Sequence, residues 1–436
     1  MKVMGNVKAA AAALSVWIAA TCVPAAQASD RERINELERQ VGILAEEIEN
    51  LKLGGVAGDT YESFSGLGPA ASKVYGVDSG LSVGGYGEIV YSDYRHGSQK
   101  DMVDVTRLIL YTGYKFSDSI VMNTEFEYEH AGVGNVDDKE PEVYVEFSYL
   151  DFLLSDAFNV RAGLILVPVG IINEYHEPTV YNGSIRPDLE SLVIPSTWRE
   201  FGVMAHGAVG RLSYKAAVLN GLRSDLFKTS SWIKKGRQKG AKANAEPAAG
   251  LVRLDYEVGG GLIVGGSYYY SRAEAGAGGS SDLAASQAEG TVKLWEAHGE
   301  FRKGALMLRA IYVDGRTGGN SAFEATGVGK SAGGWYAEAA YDAAPVLGLG
   351  ADVSVTPFVR YESYDTNREV FSGVSRNPAY DREVLTVGVG YKPHPNVVVK
   401  ADYQARDTAS ALPEGKGPGL DSGKVDRFNL AVGFIF

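Results

Sequence analysis

Charged residues recur at every second position in parts of this sequence, most plainly at Glu125, Glu127 and Glu129. In an extended strand every second side chain points to the same face, so these three carboxylates share one face. Other segments place arginine or lysine on the corresponding face. Fixed charges around trapped water align polar solutes and disfavour apolar ones, and they break no covalent bond. The pattern therefore predicts selection of solutes rather than catalysis.

We expect these charges to form two walls around a water-filled lumen. The acidic wall belongs to the third and fourth strands, and the basic wall belongs mostly to strands thirteen to sixteen and to strand two. The basic candidates are Arg107, Arg161, Arg309, Arg360, Arg382, Lys400, Arg406 and Arg427, and the acidic candidates are Glu125, Glu127 and Glu146. The alternative is that these charges pair with one another and only keep the lumen wet.

A long segment after the fifth strand, residues 169–198, is a candidate constriction. It carries many large apolar residues, which a loose hydrophilic loop would not need. We expect it to fold into the lumen, where its polar groups would narrow the channel. These candidates are Glu174, His176, Glu177, Arg186, Asp188 and Glu190. The alternative is a loop packed at a subunit interface.

The sequence offers little for catalysis or for metal binding. Its six histidines are scattered, and none lies in an H-E-x-x-H motif. Cys22 is its one cysteine, and no close spacing of histidine and carboxylate suggests a metal site. We therefore expect no enzyme activity, no metal and no cofactor. The net charge of −12 argues against nucleic acid as a partner.

The elements that would position these residues are sixteen alternating segments between residues 81 and 436. Short and long connections alternate between them, which is typical of outer-membrane barrels. The last segment ends on Phe436 and has a continuous apolar face. The backbone N–H and C=O groups along its edge need a partner strand. Pairing with the first segment would close the sheet. The predicted fold class is all-β: a 16-stranded antiparallel transmembrane β-barrel, with a soluble β-sandwich or solenoid as the alternative.

Aromatic residues near the strand ends would form girdles on the lipid-facing side. The examples are Tyr86, Phe116, Tyr128, Tyr149, Tyr214, Tyr256, Tyr268, Tyr391 and Tyr403. A second charged feature is the basic run Lys228, Lys234, Lys235, Arg237, Lys239 and Lys242 in the loop after the seventh strand. It would enrich anions at the entrance or bind lipopolysaccharide phosphates, or it is simply a solvated charge run.

The N-terminal part divides into three predicted segments before the barrel at 81–436. Residues 1–28 have the positive start, apolar stretch and A-x-A site of a signal peptide, with a membrane-anchoring helix as the alternative. Residues 30–53 carry an apolar pattern at spacings of three and four, which predicts a short coiled-coil helix in the periplasm. Residues 54–80 are a linker or a plug-like segment.

Four phrases of the sequence resemble the porins of Gram-negative bacteria. They are "GLGPAASKVYG…GLSVGGYGE", "VPVGIINEYHEP", "IPSTWREFG" and the terminal "GFIF". The resemblance is strongest to the branch related to phosphate-selective porins O and P and to trimeric porins with a periplasmic coiled coil. It implies a homotrimer, an inward-folded third loop and a tilt toward anions. The sequence departs from that branch because it shows no dense arginine ladder with a matching lysine cluster.

These observations together predict an outer-membrane porin for the passive diffusion of small hydrophilic solutes. An anion preference, for phosphate-like or carboxylate solutes, is expected from the basic wall. The expected partners are outer-membrane lipid, lipopolysaccharide, small hydrophilic solutes and two further copies of the chain. The alternative function is a structural or adhesive outer-membrane barrel that is tethered through its coiled coil.

Overall fold

Alternation of apolar and polar residues produces a single sheet of long antiparallel strands. The computed structural model describes residues 62–95, 100–131, 142–276, 287–410 and 425–436, together with Asn35, Arg39 and Gly42. The strands are β1 Gly80–Tyr94, β2 Met102–Ser117, β3 Ile120–Glu129, β4 Val143–Ser155, β5 Phe158–Leu166, β6 Arg199–Val209, β7 Leu212–Asn220, β8 Leu222–Arg223, β9 Ala248–Gly259, β10 Leu262–Glu274, β11 Glu289–Lys303, β12 Leu306–Gly319, β13 Ser331–Tyr341, β14 Ser354–Glu369, β15 Asp381–His394, β16 Val397–Thr408 and β17 Arg427–Ile435.

The sheet closes on itself. Consecutive long strands pair antiparallel around the wall, and β7 pairs directly with β9 because β8 is a two-residue segment that runs parallel to the end of β10. β17 pairs with β1 from Tyr86↔Ile435 to Tyr94↔Arg427. The backbone of Phe436 then exchanges two hydrogen bonds of 2.9 Å with Gly85. The chain therefore forms a closed 16-stranded antiparallel β-barrel, and the predicted fold class is confirmed.

The two faces of the wall differ as the sequence pattern predicts. Leu430, Val432 and Phe436 on β17 and beyond it are 42%, 41% and 46% exposed and face outward, while the alternate residues Asn429 and Ala431 are buried inside. Tyr86 and Tyr149 are predicted to lie in the aromatic girdles on the outer face, and both predictions are wrong. Both residues are buried on the inner face: Tyr86 lies on the same face of its strand as Glu88, and Tyr149 lies on the same face as Asp151.

Short and long connections alternate at the two ends of the barrel. Two residues join β2 to β3, β4 to β5, β6 to β7, β9 to β10, β11 to β12 and β15 to β16, and we call this end the short-turn rim. The connections at the opposite end include 167–198, 221–247 and 320–330, and we call that end the long-loop rim. α2 (Ser321–Glu324) lies in one of these long loops.

Residues 62–79 pack inside the barrel. They contain α1 (Pro69–Gly76), which contacts β1, β2 and β3. Ala71 and Val74 are buried, and the amide of Asn123 donates to the carbonyl of Ala71 at 2.8 Å. Of the two interpretations for 54–80, this packing fits the plug-like one for residues 62–79.

The other N-terminal predictions fall outside the described residues. These are the signal peptide at 1–28 and nearly all of the coiled coil at 30–53, of which only Asn35, Arg39 and Gly42 are described, each as helical and exposed. Residues 60–436 group into one compact unit, to which the preceding residues do not belong. In the described part of the chain, no helix has both the length and the hydropathy needed to cross a membrane.

Candidate functional site

The segment between β5 and β6, residues 167–198, enters the lumen, and we call it the inward loop. Asn173 closes its neck, because its amide donates to the carbonyls of Val167 and Trp198 at 2.7 and 3.0 Å and its oxygen accepts from the Trp198 N–H at 2.7 Å. Leu189–Val193 form one π-helical turn. The apolar residues that made this segment unusual are buried, which explains why a loop carries them: Ile171, Ile172, Leu189, Val193 and Ile194.

Basic and acidic groups of β14 and β16 bind one side of the inward loop. Lys400 donates to the carbonyls of Tyr181 and Gly183 at 3.0 and 2.9 Å. Arg360 donates to the carbonyl of Asn182 at 3.1 Å, and Arg406 forms an ion pair with Asp188. These contacts hold the loop against one wall of the barrel, so several residues expected to select solutes instead position the loop.

Contacts at the other side of the inward loop fix its first turn. Lys215 on β7 pairs with Glu174 at 2.5 Å. Glu190 accepts from the N–H groups of Ile171 and Ile172 at 2.7 and 2.8 Å and from the Tyr336 hydroxyl at 2.7 Å. Gly170 makes this geometry possible, since its φ is +80° and a Cβ there would overlap the Glu190 carboxylate.

Charged groups of the inward loop differ in their electrostatic state. Burial raises the pKa of Glu177 to about 7, although the N–H groups of Ala70 and Ala71 donate to its carboxylate at 3.0 and 2.9 Å and lower it. Burial, and then Arg186, lowers the pKa of His176 to about 4, so its imidazole is neutral at pH 7. For Asp188 the attraction of Arg406 and Arg427 outweighs burial, and its pKa is lowered.

Most of the predicted basic wall is paired with carboxylates. Arg161 lies 2.7 Å from Asp151, and Arg309 lies 2.9 Å from Glu300. The remaining pairs are Arg107 with Glu88 at 3.2 Å and with Glu127 at 3.5 Å, and Arg360 with Glu338 at 3.1 Å and with Glu362 at 3.0 Å. For these residues the contacts favour the alternative that the charges neutralise one another.

Arg382 and Arg427 differ from the other basic residues. The three nitrogens of the Arg382 guanidinium are buried without a hydrogen-bond partner among the described residues, and the group lies 5.7 and 5.2 Å from the ring centres of Tyr364 and Tyr380. Arg427 donates to Gln404 at 2.6 Å, which leaves its charge without a paired carboxylate in the described part. Both lie near the long-loop rim, and neither has a carboxylate as an ion-pair partner among the described residues.

The three predicted acidic residues lie on the neighbouring strands β3 and β4, and their role as an acidic wall stays a prediction. Glu125, Glu127 and Glu146 are all completely buried on the inner face of β3 and β4. Their carboxylate oxygens have no hydrogen-bond donor among the described residues. The fold brings His176 of the inward loop next to Glu125 and Glu146, and Nε2 of His176 lies 3.6 Å from Oε1 of Glu125.

Two cavities lie on the short-turn side of the inward loop. The larger has a volume of about 1070 Å³ and is lined by Lys215, Arg253, His298 and other residues of β4–β7 and β9–β11. The smaller has a volume of about 480 Å³ and is lined by Lys392 and Lys400 among others. Tyr175 and Arg302 line both. These are spaces of the size that small hydrophilic solutes require.

The basic loop after β7 folds over the long-loop rim. Its Trp232 is buried and donates to the carbonyl of Gly329 at 3.1 Å, and the rings of Phe227 and Phe323 meet edge to face at 5.8 Å. This packing holds Lys234 close to the inward loop. Burial, and then Arg237 and Lys235, lowers the pKa of Lys234 to about 8.

A chain of serine, histidine and aspartate occurs beside the larger cavity. Ser65 Oγ lies 3.3 Å from Nδ1 of His206, and Nε2 of His206 lies 2.8 Å from Asp151. Asp151 also accepts from Arg161 and from Tyr75, at 2.7 and 2.8 Å, so the chain forms part of a network that ties residues 62–79 to the wall. Two G-x-S-x-G sequences, at 80–84 and 329–333, place their serines at Ser82 within β1 and at the start of β13 rather than on a strand-to-helix turn.

No family model matches the sequence. The chain is 35% identical over 370 residues to an uncharacterized protein of Aquifex aeolicus, which covers 82% of this chain and 83% of that protein. Among solved structures, it resembles Salmonella typhi OmpF in complex with daunomycin, with a TM-score of 0.54, 13% identity and coverage of 82% of this chain and 98% of that one. It also resembles the trimer form of OmpT, an outer membrane protein of Vibrio cholerae, with a TM-score of 0.51, 12% identity and coverage of 82% and 100%. These structures share the barrel fold.

Proposed function

This chain belongs to the same family as the uncharacterized Aquifex aeolicus protein, and we propose that it is a porin of the bacterial outer membrane through which small hydrophilic solutes diffuse passively. One observation carries the proposal: a closed 16-stranded barrel with an apolar outer face encloses a polar lumen that the inward loop narrows. A barrel of this size leaves an aqueous channel, and a closed barrel satisfies its backbone hydrogen bonds in lipid.

Conductance in planar lipid bilayers tests this proposal. The purified chain should produce steady steps of current at constant voltage, because a wetted lumen conducts whenever it is open. A salt gradient across the same bilayer then reports selectivity through the reversal potential. Protein that inserts, as judged by protease protection in vesicles, and yet conducts no ions would overturn the proposal.

We further propose a preference for anions, including phosphate-like and carboxylate solutes. Arg382 and Arg427 support it, because neither is paired with a carboxylate in the described part of the chain. Lys234 adds a third positive group near the inward loop. The reversal potential in a potassium chloride gradient should have the sign of chloride permeation, and the opposite sign would contradict this preference.

We propose a homotrimer with the short-turn rim and the N-terminal coiled coil on the periplasmic side. The apolar outer face of the barrel and the trimeric form of the structurally similar OmpT support this arrangement. Light scattering of the detergent-solubilised protein gives the number of chains, and cleavage by a protease added to intact cells shows which rim faces outward. In this orientation the long loops would lie at the outer leaflet, next to lipopolysaccharide.

The second candidate is a structural or adhesive barrel that is tethered by its N-terminal segment. The packing of α1 inside the lumen favours it, since this helix occupies space that solutes would need. An enzyme is the weaker candidate, because Asp151 in the Ser65–His206–Asp151 chain is already paired with Arg161. Steady conductance excludes a sealed tether, and labelling of Ser65 by a fluorophosphonate probe would establish a reactive serine.

A further inference from the structure

Three side chains that commonly bind metal ions meet at the inner wall, and they come from three different elements. Glu125 lies on β3, Glu146 on β4 and His176 on the inward loop. Their ligand atoms all lie within 4.8 Å of one another. Oε1 of Glu125 and Nε2 of His176 are 3.6 Å apart, and a tetrahedral zinc ion with bonds of about 2.0–2.1 Å holds neighbouring ligand atoms about 3.3 Å apart. Small side-chain rotations would therefore close the three groups on one ion.

The histidine is oriented as a metal ligand. Nδ1 of His176 lies 2.8 Å from the carbonyl oxygen of Asn173. A carbonyl oxygen only accepts, so Nδ1 carries the proton and Nε2 presents its lone pair. Nε2 is buried, with no hydrogen-bond partner among the described residues, and it points at Glu125. A backbone carbonyl that fixes the far nitrogen is the usual support for a histidine that binds metal.

The two buried carboxyl groups have few hydrogen-bond donors or cations near them to offset the cost of their burial. Neither oxygen of Glu125 or of Glu146 accepts a hydrogen bond from a described residue, and the cation nearest to Glu146 is Arg199 at 3.9 Å. Burying carboxylates without partners is costly. Glu127 lies on the same face at 3.5 Å from Arg107, which also pairs with Glu88.

Carboxyl groups outnumber guanidiniums around the three groups. Four carboxylates, Glu88, Glu125, Glu127 and Glu146, are accompanied by the three guanidiniums Arg107, Arg186 and Arg199. A divalent cation would therefore favour the ionised carboxylates and would coordinate their unpaired oxygens.

We propose that Glu125, Glu146 and His176 bind one first-row divalent cation of the Zn²⁺ type, which fastens the inward loop to the β3–β4 wall. An imidazole among carboxylates favours such ions over Mg²⁺ and Ca²⁺, which prefer sites made of oxygen alone. The proposed role in the channel rests on the proposed porin function, because the fastened loop is the one that narrows the lumen. The sequence does not predict this site, because Glu125, Glu146 and His176 are far apart along the chain and only the fold brings them together.

The test measures metal binding directly on the full detergent-solubilised chain after treatment with a chelator. Titration with Co²⁺ should give visible absorption bands of a four- or five-coordinate ion at one ion per chain, and Zn²⁺ should displace it. E146Q and H176Q should each weaken binding by about 100-fold or more, whereas H206Q, a buried wall histidine away from the cluster, should bind as the native chain does. The migration of unheated samples in gels verifies that each variant is folded.

Bilayer recordings separate this proposal from the porin proposal. Zn²⁺ should reduce the current noise of the open native channel and leave H176Q unchanged, because a fastened loop fluctuates less. The metal site alone is overturned if the native channel conducts but binds neither Co²⁺ nor Zn²⁺. It is also overturned if the E146Q/H176Q double variant binds these ions as tightly as the native channel does. Stoichiometric binding to a protein that does not conduct overturns the porin function alone.

Discussion

Arg360 and Arg382 lie on the inner face of neighbouring strands, yet their surroundings differ. Arg360 is held between Glu338 and Glu362 and also donates to the inward loop. The guanidinium of Arg382 lies over the rings of Tyr364 and Tyr380, and its nitrogens have no hydrogen-bond acceptor among the described residues. A guanidinium whose charge is balanced by carboxylates attracts a passing anion less strongly than one without such a partner. For a single residue, the presence or absence of an ion-pair partner therefore matters more for solute selection than the sign of its charge.

Phosphate should bind at Arg382. We expect phosphate to inhibit the chloride current of the native channel, and R382Q to weaken that inhibition by about tenfold, which equals about 1.4 kcal/mol and is reasonable for a lost charge-assisted hydrogen bond. R161Q removes the same charge from a group already paired with Asp151 and serves as the control. Equal inhibition in the native channel and R382Q would disprove direct binding.

Anion preference should decline as the pH rises from 7 to 9. Because the pKa of Lys234 is lowered to about 8, its ammonium loses its proton over this interval, and the lumen near the inward loop loses one positive charge. The reversal potential in a salt gradient should move toward zero as the pH increases. K234Q should begin closer to zero and change less, while K235Q, at an exposed position, should follow the native profile. A native profile that is flat through pH 8 would contradict this assignment.

The inward loop and α1 show how elements fill a barrel that the wall alone would leave open. The loop is attached to opposite parts of the wall by Lys400 and by Lys215. α1 is attached to the loop through Glu177, whose carboxylate accepts from the first turn of the helix. The two elements therefore form one connected partition, and cavities of about 1070 and 480 Å³ lie on its short-turn side.

Displacing α1 should increase conductance. In V74R, a charged side chain would replace an apolar one that is 2% exposed and packs against Gly113, so the helix should leave the wall and widen the path for ions. S79R adds the same charge at an exposed position in the same segment and should conduct as the native channel does. The single-channel conductance of both variants is the measurement, and an unchanged value in a folded V74R channel would show that α1 does not limit the current.

The whole molecule depends on the closure of its sheet. The seam between β1 and β17 extends to the last residue, where Phe436 and Gly85 exchange two backbone hydrogen bonds. Closure leaves no unpaired strand edge in the hydrocarbon region, which is the condition for a sheet to be stable in lipid.

Deletion of Phe436 should weaken this seam. Two lost backbone hydrogen bonds should cost about 2 kcal/mol, with a further loss from the outward-facing ring. We expect the deletion variant to unfold at a lower urea concentration in detergent than the native barrel, as followed by circular dichroism. F436L keeps both backbone bonds and should lose less stability. If the deletion variant and the native chain unfold together, the last residue does not stabilise closure.

The sequence by itself determined the barrel, its strands and which face of most strands is apolar, because a period of two is a local property that needs no knowledge of neighbours. It also predicted that residues 169–198 fold inward, since their apolar content required burial. Only the tertiary structure decided which charges remain unpaired, as Arg360 and Arg382 share one pattern and differ in partners contributed by other strands. For the same reason Glu125, Glu146 and His176 became neighbours only when the loop crossed the lumen.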